Sequence, residues 1–364
     1  YDSLHSFLDS PIRRVIERCQ RAADNEAGIE AYDVSVLKLL YLIRYIDDIT
    51  SNLDNITILM ADDIRTDKIV LREKVRDSLN RLHSQNYIGR SEDTYRFLTD
   101  EEQDIQKEIN LTQVEPAKVV ERIGQLIFGD IYTTKKYRYD IYDFDFDKMV
   151  DSTNYGTLSG GMKLRFMTIA SDPAERVSQR LMYESKGQAI VVLAETPYYE
   201  SIENAMKIRK YVKQRNVAQL PKTQQEIISR HQEAATTYDD TATESLKKAI
   251  ENAEFYVDGE HLTLRGTDPK SKLDQAMEYL VVHVYSELDL IAEHVSYDSD
   301  ITQIATSTSL GDVGNVDAAA KVEEYLLTRF QRKLPTTMSD VQSRYQAVPY
   351  GWKEIDRKST RLNS

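Results

Sequence analysis

The chain predicts an α+β fold, predominantly helical: a winged-helix domain, then a small α/β unit and helical segments with a β-hairpin. Three observations carry that reading. Helical patterns precede two short β-prone runs between Tyr32 and Thr99, strand-like and helix-like runs alternate from Leu164 to Gln214, and Asp258-Gly259 joins two β-prone runs.

From Tyr32 the pattern is helical. Asp33 can cap it, and Val36, Leu37, Leu39, Leu40, Ile43 and Ile46 give it a broad apolar face. After the turn residues SNLDN comes a short apolar segment, ITILMA. Asp67 then opens a second amphipathic helix with Leu71, Val75, Leu79 and Leu82 on one stripe. YIGR and TYRFLT flank the polar tip SED as a hairpin, and three helices followed by a two-stranded wing is winged-helix order. A charged helix from about Asp100 to Asn110 leads away. A packing helix after Pro116 carries Val119, Ile123, Ile127 and Phe128. The α/β unit reads as strand LRFMTIAS, helix after Pro173, strand QAIVVLAE and helix after Pro197. A polar, alanine-rich helix from Pro221 to Ala253 precedes FYVDGEHLTLRG, whose Asp258-Gly259 suits a type I′ turn. An amphipathic helix begins near Asp268 and runs towards His294. GDVGN from Gly311 reads as a linker, and two further helices open beyond it.

Composition bounds the function. With 364 residues, 41% hydrophobic and 29% charged, the chain can bury two or three cores. Its longest apolar stretch, Val36 to Ile43, contains Lys38 and is far short of the roughly 20 residues of a bilayer span, so no membrane role is expected. One cysteine, Cys19, allows neither an internal disulfide nor a cysteine zinc cluster, and a cytoplasmic location follows as the expectation. A net charge of −13 argues against a surface that grips a polyanion everywhere, and leaves a local basic face open.

Candidate chemistry is sparse. GTLSGGMKL from Gly156 resembles a phosphate loop, but after Gly161 stand Met162, Lys163 and Leu164 where lysine then serine or threonine is needed, and the stretch precedes a strand. DFDFD, Asp143 to Asp147, could begin a calcium loop. However, Lys148 takes the glycine position and Asn154 the twelfth, so a strand with Phe144 and Phe146 buried fits better. The six histidines lack metal-ligand spacing, and no catalytic, cofactor or metal site is assigned. The best interaction candidates are Lys68, Arg72, Lys74, Arg76 and Arg81 on the Asp67 helix, with Arg90 at the wing, which could contact DNA or a partner. Against DNA stand the carboxylates of the same module, Asp47, Asp48, Asp54, Asp62, Asp63, Glu73, Asp77, Glu92 and Asp93.

Five blocks carry a family resemblance: YDSLHSFLDSPIRRVI from Tyr1, YDVSVLKLLYLIRYIDDI from Tyr32, LREKVRDSLNRLHSQNYIGR from Leu71, YRFLTDEEQDIQKEIN from Tyr95, and YGW at Tyr350 to Trp352. They resemble the P-loop protein of the BREX bacteriophage-defence system, the BrxC/PglY family. The resemblance implies an AAA+-like ATPase that uses ATP and magnesium and works with other BREX proteins in the cytoplasm, with self-association and DNA contact both open. Its phosphate loop is not in this sequence, so its nucleotide motifs are expected upstream and no ATPase residue transfers to any position here.

The organisation then expected is a helical segment at 1–30 ending an ATPase domain, a winged helix at 31–110, packing helices and a connector at 111–150, and an α/β plus helical domain at 151–310. The start of a further helical or winged-helix domain at 316–355 follows. The last residues, DRKSTRLNS at 356–364, resemble a translated sequencing adapter and are expected to be foreign. The function expected is a non-catalytic coupling and interaction segment of a BREX ATPase. The alternative is a winged-helix DNA-binding regulator with a downstream partner- or ligand-sensing domain; an enzyme sited at Leu164 to Gln214 has no motif behind it.

Overall fold

The computed structural model describes residues 10–353 except 45, 47, 64, 92, 159–160 and 293–314. The opening residues to Asp9, Asp47, Glu92, the Ser159-Gly160 pair, His294, Gly311 to Gly314 of the linker, and the adapter-like tail from Asp356 lie outside the described residues. The chain divides into two compact units. One holds the described residues up to Glu115 with Glu200–Thr241, the other Pro116–Tyr199 with the described residues from Ala242.

In the first unit, α1 (Ser10–Asp24) buries Ile12, Val15, Ile16 and Cys19 along one stripe. Helix α2 (Ala31–Ile43) buries Val34, Val36, Leu37, Leu40 and Ile43. Its cap differs from the sequence reading: Glu30 is the N-cap, and Asp33, at the third helical position, returns a bond to the Glu30 backbone N–H. Ile46 falls beyond the helix and is exposed. The ITILMA segment lies mostly in α3 (Leu53–Leu59), started by the Asn52 side chain accepting from the Asn55 N–H. Asp67 caps α4 (Lys68–Ser84), as its spacing predicts, and Leu71, Val75, Leu79 and Leu82 all go inside.

The wing is β1 (Ile88–Ser91) paired antiparallel with β2 (Thr94–Phe97), and Asn52 bridges to Thr94 beside it. Phe97, fully buried, closes the core shared by α1 to α4 and the wing. A Thr99/Glu102 capping box starts α5 (Asp100–Leu111). Ile105 and Ile109 of α5 pack with Ala205 and Ile208 of α8 (Tyr198–Lys213) and Ile227 and Ile228 of α9 (Lys222–Glu251), making a second small core.

The second unit is built on a seven-stranded mixed sheet. Its strands β3 (Lys136–Tyr139), β4 (Tyr142–Val150), β6 (Met162–Met167), β7 (Gln188–Val192), β8 (Glu254–Val257) and β9 (Glu260–Leu262) run in that spatial order, with β5 (Thr153–Tyr155) on β4. The β4–β6 and β6–β7 pairs are parallel and the rest antiparallel. The β7 run is nearly continuously apolar, as in a strand covered on both faces, whereas β6 alternates, burying Met162, Leu164 and Phe166 and leaving Lys163 exposed. Asp258 (φ 48°) and Gly259 (φ 94°) both take positive φ in the β8–β9 turn, the requirement of a type I′ hairpin.

Helix α6 (Pro116–Leu126) packs on β4 and β5, where Gly124 leaves room for the Tyr155 ring. A Cβ there would lie 1.9 Å from that ring, whose hydroxyl donates to the Val120 carbonyl at 2.8 Å. Helix α7 (Ser178–Glu184) bridges β6 to β7. Helix α10 (Pro269–Val284), capped by Asp268, stops well before His294. Beyond it, α11 (Val316–Gln331) and α12 (Met338–Gln346) form a helical pair.

Candidate interaction surfaces

Helix α4 presents the predicted basic residues, and most of them have local partners. Arg72 Nε donates to Asp54 of α3 at 2.7 Å. Arg76 lies 3.8 Å from Glu73 and 3.7 Å from Asp77 on its own helix. Arg81 grips the fully buried Asp33 through two bonds of 2.8 Å and reaches Glu30 at 3.1 Å, and the Asp33 hydrogen bonds push the Arg81 pKa further up. Lys74 Nζ sits 4.0 Å above the Tyr32 ring, and the Arg90 guanidinium lies 5.7 Å from the Tyr95 ring. Lys68 is exposed, with no ion-pair partner among the described residues.

The amino end of α4 is apolar where a DNA-reading helix would offer polar groups to base edges. Ile69 is 76% exposed and Val70 64%, and Ile58 and Leu59 are exposed across the α3–α4 turn. Asp67 already accepts from the Ile69 and Val70 N–H groups, so the helix terminus carries its own carboxylate. A phosphate would have to displace it.

Sequence reasoning missed Glu102. It is 1% exposed, and three arginines meet it: Arg230 at 2.8 Å, Arg44 at 3.2 Å and Arg96 at 4.0 Å. Burial alone would raise its pKa, but the Thr99 backbone N–H at 2.8 Å and the three guanidiniums more than offset that and lower it. The Thr99-x-x-Glu102 capping box was there to be seen. Its arginine partners, far apart in sequence, left no signal.

In the second unit, the DFDFD alternation lies on β4 with Phe144 and Phe146 inside and Asp143 and Asp145 outside, while Asp147 is also buried. Among the described residues no three histidine, cysteine or acidic side chains are grouped to hold a metal. No described helix is long and apolar enough to cross a membrane. The α11–α12 pair closes on an aromatic cluster: Tyr345 stacks on Trp352 at 4.7 Å and donates to the Lys321 carbonyl, and Trp352 Nε1 donates to the Glu287 carbonyl at 2.9 Å. Leu327, Phe330 and Leu334 remain outside this cluster and exposed.

Two family models match the chain. The model of the BREX ATP-binding protein BrxC 4th domain with six-stranded beta sheet covers residues 112–280, where the mixed sheet lies. The model of the BrxC winged helix-turn-helix domain covers 277–359, the end of α10, α11 and α12. The chain belongs to the BrxC family of BREX proteins. The helix order and hairpin of residues 31–97 lie outside both matched ranges, so the winged-helix order there rests on this chain's own geometry. No solved structure matches it.

Proposed function

We propose that this chain is a non-catalytic coupling and interaction segment of a BREX phage-defence ATPase, docking other BREX proteins in the cytoplasm. The observation that carries it is the surface at the α3–α4 turn: Ile58, Leu59, Ile69 and Val70 are exposed where nucleic-acid contacts would be expected, and the arginines behind them are already paired. Large apolar side chains exposed at the end of α3 and the start of α4 suit a protein partner, because their burial is favourable and phosphate offers them nothing. ATP and magnesium belong to the whole protein in this reading, and no residue here is assigned to either.

Co-purification of the other BREX proteins with the full-length protein tests the proposal. Ile69→Glu combined with Val70→Glu is expected to abolish their association, since both side chains are exposed and neither supports the core. Unchanged association, together with DNA binding that is lost on reversing Arg72, Lys74 and Arg76, would replace it with the DNA-binding regulator.

A further inference from the structure

The first unit encloses a cavity of about 480 Å³, bounded by the wing, α5, α8 and α9. That volume is in the range of small-molecule sites. Its lining includes Arg96 from β2 with Arg230 and His231 from α9. Ile109, Ile208 and Tyr238 supply an apolar side, and Glu200 and Glu233 are exposed.

The charge on that lining is not balanced by its nearest carboxylate. Glu102 takes Arg44 on both oxygens and Arg230 on one, which leaves Arg96 only a 4.0 Å approach to the same oxygen. Three guanidiniums therefore converge on one buried carboxylate, and Arg96 is the one it holds least closely. A planar fork of donors in this state suits an oxyanion that can accept two parallel bonds. His231 adds a second, independent observation. It is 8% exposed, and its Nε2 is buried without a hydrogen-bond partner among the described residues. Buried polar nitrogens in folded proteins are nearly always bonded, and in the Nε2–H tautomer this one can donate to an anion.

We infer that this cavity binds a small phosphate monoester, its phosphoryl oxygens held by Arg96, Arg230 and His231 and its organic part against Ile109, Ile208 and Tyr238. The site is separate from the docking surface at the α3–α4 turn and stands or falls without it.

Isothermal titration calorimetry on the whole chain tests it, with inorganic phosphate, glucose 6-phosphate and AMP as probes. At least one monoester is expected to bind more tightly than inorganic phosphate. Arg96→Gln and His231→Asn are each expected to weaken it about tenfold or more, the scale of one charge-assisted or buried hydrogen bond. Arg96→Gln leaves Arg44 and Arg230 on Glu102, and Arg96→Lys, which keeps the charge but not the fork, is expected to fall between it and the wild type. Preference for AMP would assign the apolar wall to a nucleobase, and monoesters binding no more tightly than inorganic phosphate would overturn the placement of an organic part on that wall. No heat from any probe at millimolar concentration, or binding that neither substitution changes, would overturn the inference.

Discussion

The outer face of α4 and the Glu102 cluster both gather arginines, and they use them in opposite ways. On α4, Arg72 and Arg76 each have a carboxylate beside them at the surface, and Arg81 is the arginine that holds the buried Asp33. Around Glu102, three arginines from α2's end, β2 and α9 share one carboxylate. A helix rich in basic residues thus holds little unspent positive charge. The unspent charge lies where distant segments converge.

Glu102→Gln gives the sharpest break in this comparison. It removes the buried negative charge on which Arg44 and Arg230 converge, and breaking a buried pair in this way typically costs about 3–5 kcal/mol. Urea denaturation should show a loss of that order. A loss below about 1 kcal/mol would mean the arginines are satisfied by something other than Glu102.

The same cluster should be acid-sensitive through His231. Burial first, then the nearby Arg96, lowers its pKa from the ordinary 6.5 to about 4. Between those values the unfolded chain takes up a proton that the folded chain refuses, so stability is complete above about pH 6.5 and falls as the pH drops towards 4. The full effect is about 3 kcal/mol, and His231→Asn should flatten that part of the pH–stability curve. Glu102, with its lowered pKa, acts in the same direction at lower pH, losing its contribution as the pH falls through the carboxylate range.

Within α4 the contrast is smaller and should still be measurable. Arg81→Ala strips a fully buried Asp33 of its bidentate partner and is expected to cost about 2–3 kcal/mol, because hydrogen bonds to buried charged groups are the strong ones. Arg72→Ala, whose ion pair with Asp54 is exposed on both sides, should cost less than about 1 kcal/mol. Thermal denaturation of the two variants side by side would show whether burial, rather than the count of ion pairs, sets the ranking.

Much of the fold was legible from local chemistry. Asp67 and Asp268 announce the starts of α4 and α10 because a carboxylate before a helix satisfies backbone N–H groups, and Asp258-Gly259 announces a turn that demands positive φ twice. Alternation of Phe144 and Phe146 with aspartates gave β4 its buried face. Other features depend on contacts that no local pattern encodes. The short α3 reads only as an apolar segment, since seven residues are too few to show a helical period. Asp33 looks like a cap because nothing in sequence ties it to Arg81, and Glu102 looks like one more acid of a charged helix because Arg44, Arg96 and Arg230 are distant. The basic residues of α4 were visible. The pairing of Arg72 and Arg81 was not, because only the fold brings Asp54 and Asp33 to them.

The most direct test of the central claim, that α4 is a protein-docking face, is fluorescence anisotropy of a labelled DNA duplex titrated with the whole chain across a range of salt. Compared with a variant carrying Arg72→Glu, Lys74→Glu and Arg76→Glu, the wild type is expected to show no α4-dependent affinity even at low salt. Binding that falls steeply with salt and disappears in the triple variant would contradict it, since that slope counts phosphates neutralised by free cations.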